Sequence, residues 1–231
     1  LSDAGFTACC QLLGTEAAEL WTVVSVETRG CGFLKDGRAA ILFERHVFHR
    51  LTNGQFDAAH PSISSATPGG YLGGTQEYNR LNEAIALDRD AALRSASWGI
   101  GQIMGFNADA AGFASVEDMV SAMQASEDQQ LTGTANFLRS SNLDKPLAQH
   151  DWTAFARGYN GPNFQINHYD ARLQSAFAGF ATGLLPDIRV RRAQLILTFN
   201  GFDVGAIDGI LGKRTRSAAQ AYKDQTGIDL L

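Results

Sequence analysis

The sequence predicts an α+β protein, mostly helical with one small β-hairpin, followed by a small second domain. Three observations predict it. Apolar residues recur at helical spacing through most of the first 183 residues. A lone Asp36-Gly37 turn is followed by the strand-like run Ala39 to Phe43. The segment "TGLLPD" at 182–187 reads as a linker before a short helical tail. The expected domains are residues 1–183 and 184–231.

The elements follow in order. Ser2-Asp3 predicts the cap of a short helix that ends near Gly14, and Thr15 the cap of a second helix, "TEAAELWTVVSVET". In that helix Ala17, Leu20, Trp21 and Val24 lie on one face, and the next position of the stripe is Glu27. A carboxylate thus stands where an apolar residue belongs, and Gly30 and Gly32 let the chain leave the helix. The expected hairpin turns at Asp36-Gly37, and its second strand delivers Glu44. Residues 52–74, rich in Gly, Ser, Thr and Pro, predict a long surface loop of the kind that forms a lid or groove wall. Helical signals resume at Thr75, with caps expected at Ser115 and Ser126. Two short helices, "DWTAFARGYNG" and "NHYDARLQSAFAGF", close the body, and a helical pair around a Gly/Asp-rich turn forms the tail.

Bulk properties exclude several classes. A net charge of -5 argues against nucleic acid as the main partner. No apolar run approaches the roughly 18–20 residues that span a bilayer, so no membrane insertion is expected. The first residue is Leu, which suits a processed mature form or a trimmed chain. Residues 184–231 carry seven Lys/Arg against five Asp/Glu, a mildly basic tail on an acidic body. Cys9, Cys10 and Cys31 suit either buried thiols or one disulfide to Cys31. His46 and His49 stand near Glu44 without a third ligand, so no metal is expected.

Three constellations carry chemistry. Glu27 and Glu44 form the first, and cleavage of a glycosidic bond needs such a pair. One carboxyl in apolar surroundings donates a proton, and a second stabilises the cationic transition state, activates water or attacks. Either glutamate also suits a plain salt bridge with a neighbouring arginine. The second is "SASWGIGQIMGFN" at 95–107. Its glycines allow close backbone approach to a ligand, Gln102 offers an amide and Trp98 a flat apolar face; a tight turn packed by Ile100, Ile103 and Met104 is the alternative. The third is "ARGYNGPNF" at 156–164, with Tyr159 and Asn160 before a Gly-Pro stop.

Taken together, "VETRGCGF", "ILFERHVFHRL", "SASWGIGQIMGFN" and "ARGYNGPNF" resemble the N-acetylmuramidase family of phage endolysins and bacterial wall hydrolases, within the lysozyme-like superfamily. The resemblance implies a lysozyme-like fold over residues 1–183 and cleavage of the β-1,4 bond between N-acetylmuramic acid and N-acetylglucosamine. It implies Glu27 as general acid, with Glu44 as partner or the two roles exchanged, and Gln102, Tyr159 and Asn160 along the sugar cleft. Peptidoglycan is the expected partner, with no cofactor, and the protein is expected to be a monomer. It would be secreted, or act as a phage endolysin in the periplasm. The tail, through "RAQLIL", Asp208-Gly209 and "LGKRTRSAAQAYK", resembles the three-helix peptidoglycan-binding domain. A lytic transglycosylase, a chitinase-like glycosidase and a non-catalytic wall-binding protein are the rival readings.

Overall fold

A computed structural model describes residues 1–28 and 31–231. Among these the elements run α1 (Asp3–Leu13), α2 (Ala17–Thr28), β1 (Ile41–Phe43), α3 (Arg45–Leu51), α4 (Glu77–Leu87), α5 (Arg89–Arg94), β2 (Ala96–Trp98) and β3 (Ile103–Met104). Then come α6 (Val116–Ala125), α7 (Glu127–Ser140), α8 (Asp144–Ala148), α9 (Trp152–Asn160), α10 (Tyr169–Thr182), α11 (Ile188–Phe199) and α12 (Lys213–Thr226). The chain forms two compact units. The first holds Leu1–Cys31, Lys35–Gly37 and Ser141–Leu231; the second holds Gly32–Leu34 and Arg38–Ser140. Among the described residues no helix is long and apolar enough to cross a membrane.

In the first unit α1 starts and stops as its sequence predicts. The Ser2 hydroxyl accepts the Gly5 N–H at 3.0 Å, and Gly14 closes the helix at φ 64°. Thr15 does not cap α2: its hydroxyl is buried and has no partner among the described residues. Helix α2 is broader in its burial than one stripe: Glu19, Leu20, Trp21, Thr22, Val23, Val24 and Val26 are all buried. It is a central core helix, packed by α1 through the Phe6–Trp21 stack at 4.6 Å and by α10 along its length. Among the described residues Cys9, Cys10 and Cys31 form no disulfide, and burial pushes the Cys10 thiol up to about 11. Gly30, expected to release the chain from α2, lies outside the described residues.

The tail of this unit holds two helices among its described residues, not the three that the resemblance implies. Residues 200–212 run without a helix because Gln194 organises them as a loop. Its buried side-chain amide accepts the Gly209 N–H at 2.8 Å and reaches Asp208 Oδ1 and the Ile210 carbonyl at 3.0 and 3.2 Å. Leu197, Val204, Ala218, Ala219 and Tyr222 then close a small apolar cluster of their own.

The second unit departs furthest from expectation. The hairpin at Asp36-Gly37 is reduced to a single bridge, Phe33 with Ala39. Instead β1 pairs antiparallel with β2 (Ile41 with Trp98, Phe43 with Ala96), and β2 turns back onto β3. The 95–107 motif is therefore the partner of β1 and the hairpin of a three-stranded sheet. Gly105 permits this sheet to lie against α5, because a Cβ there would collide with the Leu93 carbonyl and Arg94 Cα. Ser115 and Ser126 cap α6 and α7 as expected, accepting the N–H of Asp118 at 3.1 Å and of Gln129 at 3.2 Å.

Residues 52–73 form the long loop predicted, and side chains of the neighbouring helices tie it down. The Arg45 guanidinium donates to the carbonyls of Thr67 and Pro68 at 2.8 and 3.2 Å. Arg80 donates to the Ser62 carbonyl at 3.1 Å, and Ile63 is fully buried. The central fastening is Glu77, itself fully buried. Its carboxylate accepts the N–H of Leu72 and Gly73 from the loop, the N–H of Phe43 from β1, and a bond from Arg80.

Candidate active site

Glu27 sits on the last turn of α2, where the burial of that helix begins to open. The apolar residues before it fix the helix in the core and so fix the carboxyl. Asn160, the last residue of α9, donates from Nδ2 to Glu27 Oε1 at 3.2 Å. Its own Oδ1 is buried and has no partner among the described residues. Asp151 starts α9 by accepting the Ala154 N–H at 2.9 Å, and Gly161 ends it at φ 83°. These caps place Tyr159 and Asn160 on the turn that faces the acid, with Tyr159 stacked on Phe155 at 5.4 Å.

The electrostatics favour a proton on Glu27. Burial raises its pKa to about 7, against opposing effects from the Asn160 hydrogen bond and the Arg172 charge. The C-terminal end of a helix, with its unpaired carbonyls, also disfavours negative charge. Arg172 of α10 satisfies one of those carbonyls, donating to the Val26 oxygen at 2.9 Å. Burial, and then the nearby Glu27, hold both the Tyr159 and Tyr169 phenols above their ordinary range. The structure thus brings Glu27, Tyr159 and Asn160 together, and sets Tyr169 and Arg172 beside them. Neither addition carries a distinctive local motif. Only the packing of α10 on α2 reveals them.

Glu44, Trp98 and Gln102 belong to the second unit. Glu44 stands at the junction of β1 and α3, its N–H bonded to the Ser95 carbonyl at 2.9 Å. The Tyr71 hydroxyl lies 3.0 and 2.9 Å from its two carboxylate oxygens, and His46 Nδ1 lies 3.1 Å from Oε2. His49 pairs elsewhere, with Asp57 at 2.7 Å, so the two histidines do not converge.

Trp98 corrects an expectation. It is 1% exposed, and its indole N–H donates to the Leu93 carbonyl at 3.1 Å, so its ring is core and offers no face to a ligand. Packing against the sheet outweighs the exposure that a glycine-flanked tryptophan suggested. Gln102 adopts φ 49° and spends its amide on the β2–β3 turn. It donates to the carbonyls of Gly99 and Ala40 at 2.8 and 3.2 Å and accepts from the Ser97 hydroxyl at 2.9 Å. A residue that the sequence did not single out supports it. Gln130 is buried in α7 and accepts the Ile100 N–H at 2.8 Å while donating to the Met123 carbonyl at 2.7 Å. Gly99 and Gly101 have no room for a Cβ against Gln130 and Thr134.

Comparison with known proteins agrees with this chemistry. The sequence model of a family described as N-acetylmuramidase matches residues 16–181. Among solved structures, the crystal structure of the Burkholderia AP3 phage endolysin is similar, with a TM-score of 0.71 and 37% identity. That likeness covers 78% of this chain and 70% of the endolysin chain. No curated protein matches.

Proposed function

Because the chain belongs to the N-acetylmuramidase family and is a glycoside hydrolase of peptidoglycan, we propose that it cleaves the β-1,4 bond between N-acetylmuramic acid and N-acetylglucosamine, with Glu27 as general acid. The observation that carries this is a carboxyl at a helix end, raised to about 7 by burial and bonded to Asn160. Such a group keeps its proton near neutral pH and passes it to the glycosidic oxygen as the C–O bond breaks. Water then supplies hydroxyl to the sugar carbon, and its remaining proton passes to a carboxylate of the site, which restores the acid. Glu44 is the second carboxylate, which stabilises the cationic sugar or activates that water. Tyr159 and Asn160 bind the sugar beside the acid. Gln102 acts by shaping the backbone of its turn, since its amide is already engaged.

Residues 184–231 are read as a separate peptidoglycan-binding domain that raises the local concentration of enzyme on an insoluble wall. The enzyme works as a monomer, without a cofactor, and binds neither nucleic acid nor membrane. The likeness to a phage endolysin supports action on the cell wall, which the enzyme reaches from the periplasm or as a secreted protein. Mass spectrometry of muropeptides released from purified walls tests the reaction. Products with ordinary reducing ends are expected, whereas 1,6-anhydro ends would show a transglycosylase and overturn the hydrolytic step. Walls left intact would point to a non-catalytic binder.

Asn160 gives a second test. Its N–H bond stabilises the charged form of Glu27, so Asn160→Ala removes an effect that lowers the acid's pKa. The alkaline limb of the pH–rate profile is therefore expected to move to higher pH, while kcat falls as a sugar contact is lost. A limb that stays in place or moves down would separate Asn160 from the acid.

A further inference from the structure

We propose that Tyr71 is a positioning residue for Glu44: the strap Gly69–Gly74 sets its phenol against both carboxylate oxygens and so fixes the orientation from which Glu44 acts. This rests on Glu44 being the second carboxylate of the reaction. The geometry that points to it lies wholly within the second unit. Glu44 opens α3, yet its side chain makes no capping bond to that helix. A glutamate with three free torsions is otherwise adjustable, and Tyr71 removes that freedom by sharing its hydroxyl proton between Oε1 and Oε2 at 3.0 and 2.9 Å.

The strap is built for this. In "GGYLGG" the glycines at 69, 70, 73 and 74 have φ of 97°, 77°, 76° and 55°, two on each side of Tyr71-Leu72. All four occupy the left-handed region that L side chains avoid, so the tight excursion needs glycine at each. Its downstream end is pinned by the Leu72 and Gly73 N–H bonds to Glu77 Oε1 at 2.6 and 2.9 Å. Its upstream end is pinned by Arg45, the chain neighbour of Glu44, through the Thr67 and Pro68 carbonyls. Tyr71 remains 47% exposed, so burial of its ring does not explain its place; the hydroxyl bond does. The charged groups around the pair are His46, 3.1 Å from Glu44 Oε2, and Glu77 and Arg80, which act on Tyr71 from α4.

The test compares Tyr71→Phe, Tyr71→Ala and Glu44→Gln with the wild-type protein on uncrosslinked glycan strands. Tyr71→Phe is expected to keep its melting temperature and to hold KM within about twofold, while kcat falls about tenfold. Tyr71→Ala is expected to lose no more in kcat than Tyr71→Phe, since the hydroxyl carries the effect. If Tyr71→Phe keeps wild-type kcat while Glu44→Gln is inactive, the positioning role fails and the reading of Glu44 survives. If Glu44→Gln keeps wild-type kcat, that reading fails and the role of Tyr71 falls with it.

Discussion

Glu27→Gln is expected to lower kcat on purified walls by about 10²–10⁴-fold, the range over which a positioned general acid contributes. Gln keeps the shape of the side chain and an oxygen for the Asn160 N–H, so the fold should persist while the donated proton is lost. A mutant that clears walls as well as the wild type would remove Glu27 from the mechanism. The pH dependence follows from the same group. The acid works only when protonated, so wild-type activity should fall as pH rises through about 7. Stability has the same sign. The folded protein binds this proton more tightly than the unfolded chain, which makes folding progressively less favourable between the ordinary glutamate pKa and about 7. Above that pH the ionised carboxylate costs up to about 3 kcal/mol, and Glu27→Gln should regain part of it. Chemical denaturation at two pH values measures this: the mutant's gain should appear in alkali and vanish in acid.

The largest loss of stability is expected at Glu77, a residue with no part in the chemistry. Glu77→Ala should destabilise the second unit by about 3–5 kcal/mol, because it strips the partner from a buried Arg80 and from three backbone N–H groups at once. Hydrogen exchange at Phe43, Leu72 and Gly73 should accelerate first, since these amides lose their acceptor directly. Burial by itself would raise the Glu77 pKa. The N–H groups of Gly73, Leu72 and Phe43, with the Arg80 charge, instead carry it below the ordinary range. The stability that Glu77 provides is thus complete above the unfolded glutamate pKa and is lost as pH falls through the lower folded value. Glu77→Ala should therefore flatten the acid side of the stability curve. Unchanged stability, or unchanged exchange at those amides, would show that the strap and β1 are held by other means.

Local chemistry made a good part of this architecture legible. Ser2, Ser115 and Ser126 cap helices through hydrogen bonds that close within three residues, so sequence spacing is enough to find them. Glu27 at a helix end and the Tyr159-Asn160 pair were found in the same way, from short motifs. The sheet was not. Asp36-Gly37 has strong turn chemistry, but the partner of β1 lies more than fifty residues downstream. Local turn propensity carries no information about that pairing. Trp98 and Gln102 show the same limit, since glycines that suggested open access to a ligand serve close packing against α7.

The sequence by itself determined the helical body, the acid at the end of α2 and the amide beside it, because each depends on periodicity or on a few adjacent residues. Only the tertiary structure decided how those groups behave. Burial of α2 on nearly every side, rather than along one stripe, accompanies a Glu27 pKa that desolvation raises to about 7. In the second unit, Glu77 and Arg45 reach across tens of residues to hold the strap that brings Tyr71 to Glu44. A pKa and a hydrogen bond between distant residues depend on what the folded chain excludes from water and brings within 3 Å, and neither property is local to any stretch of sequence.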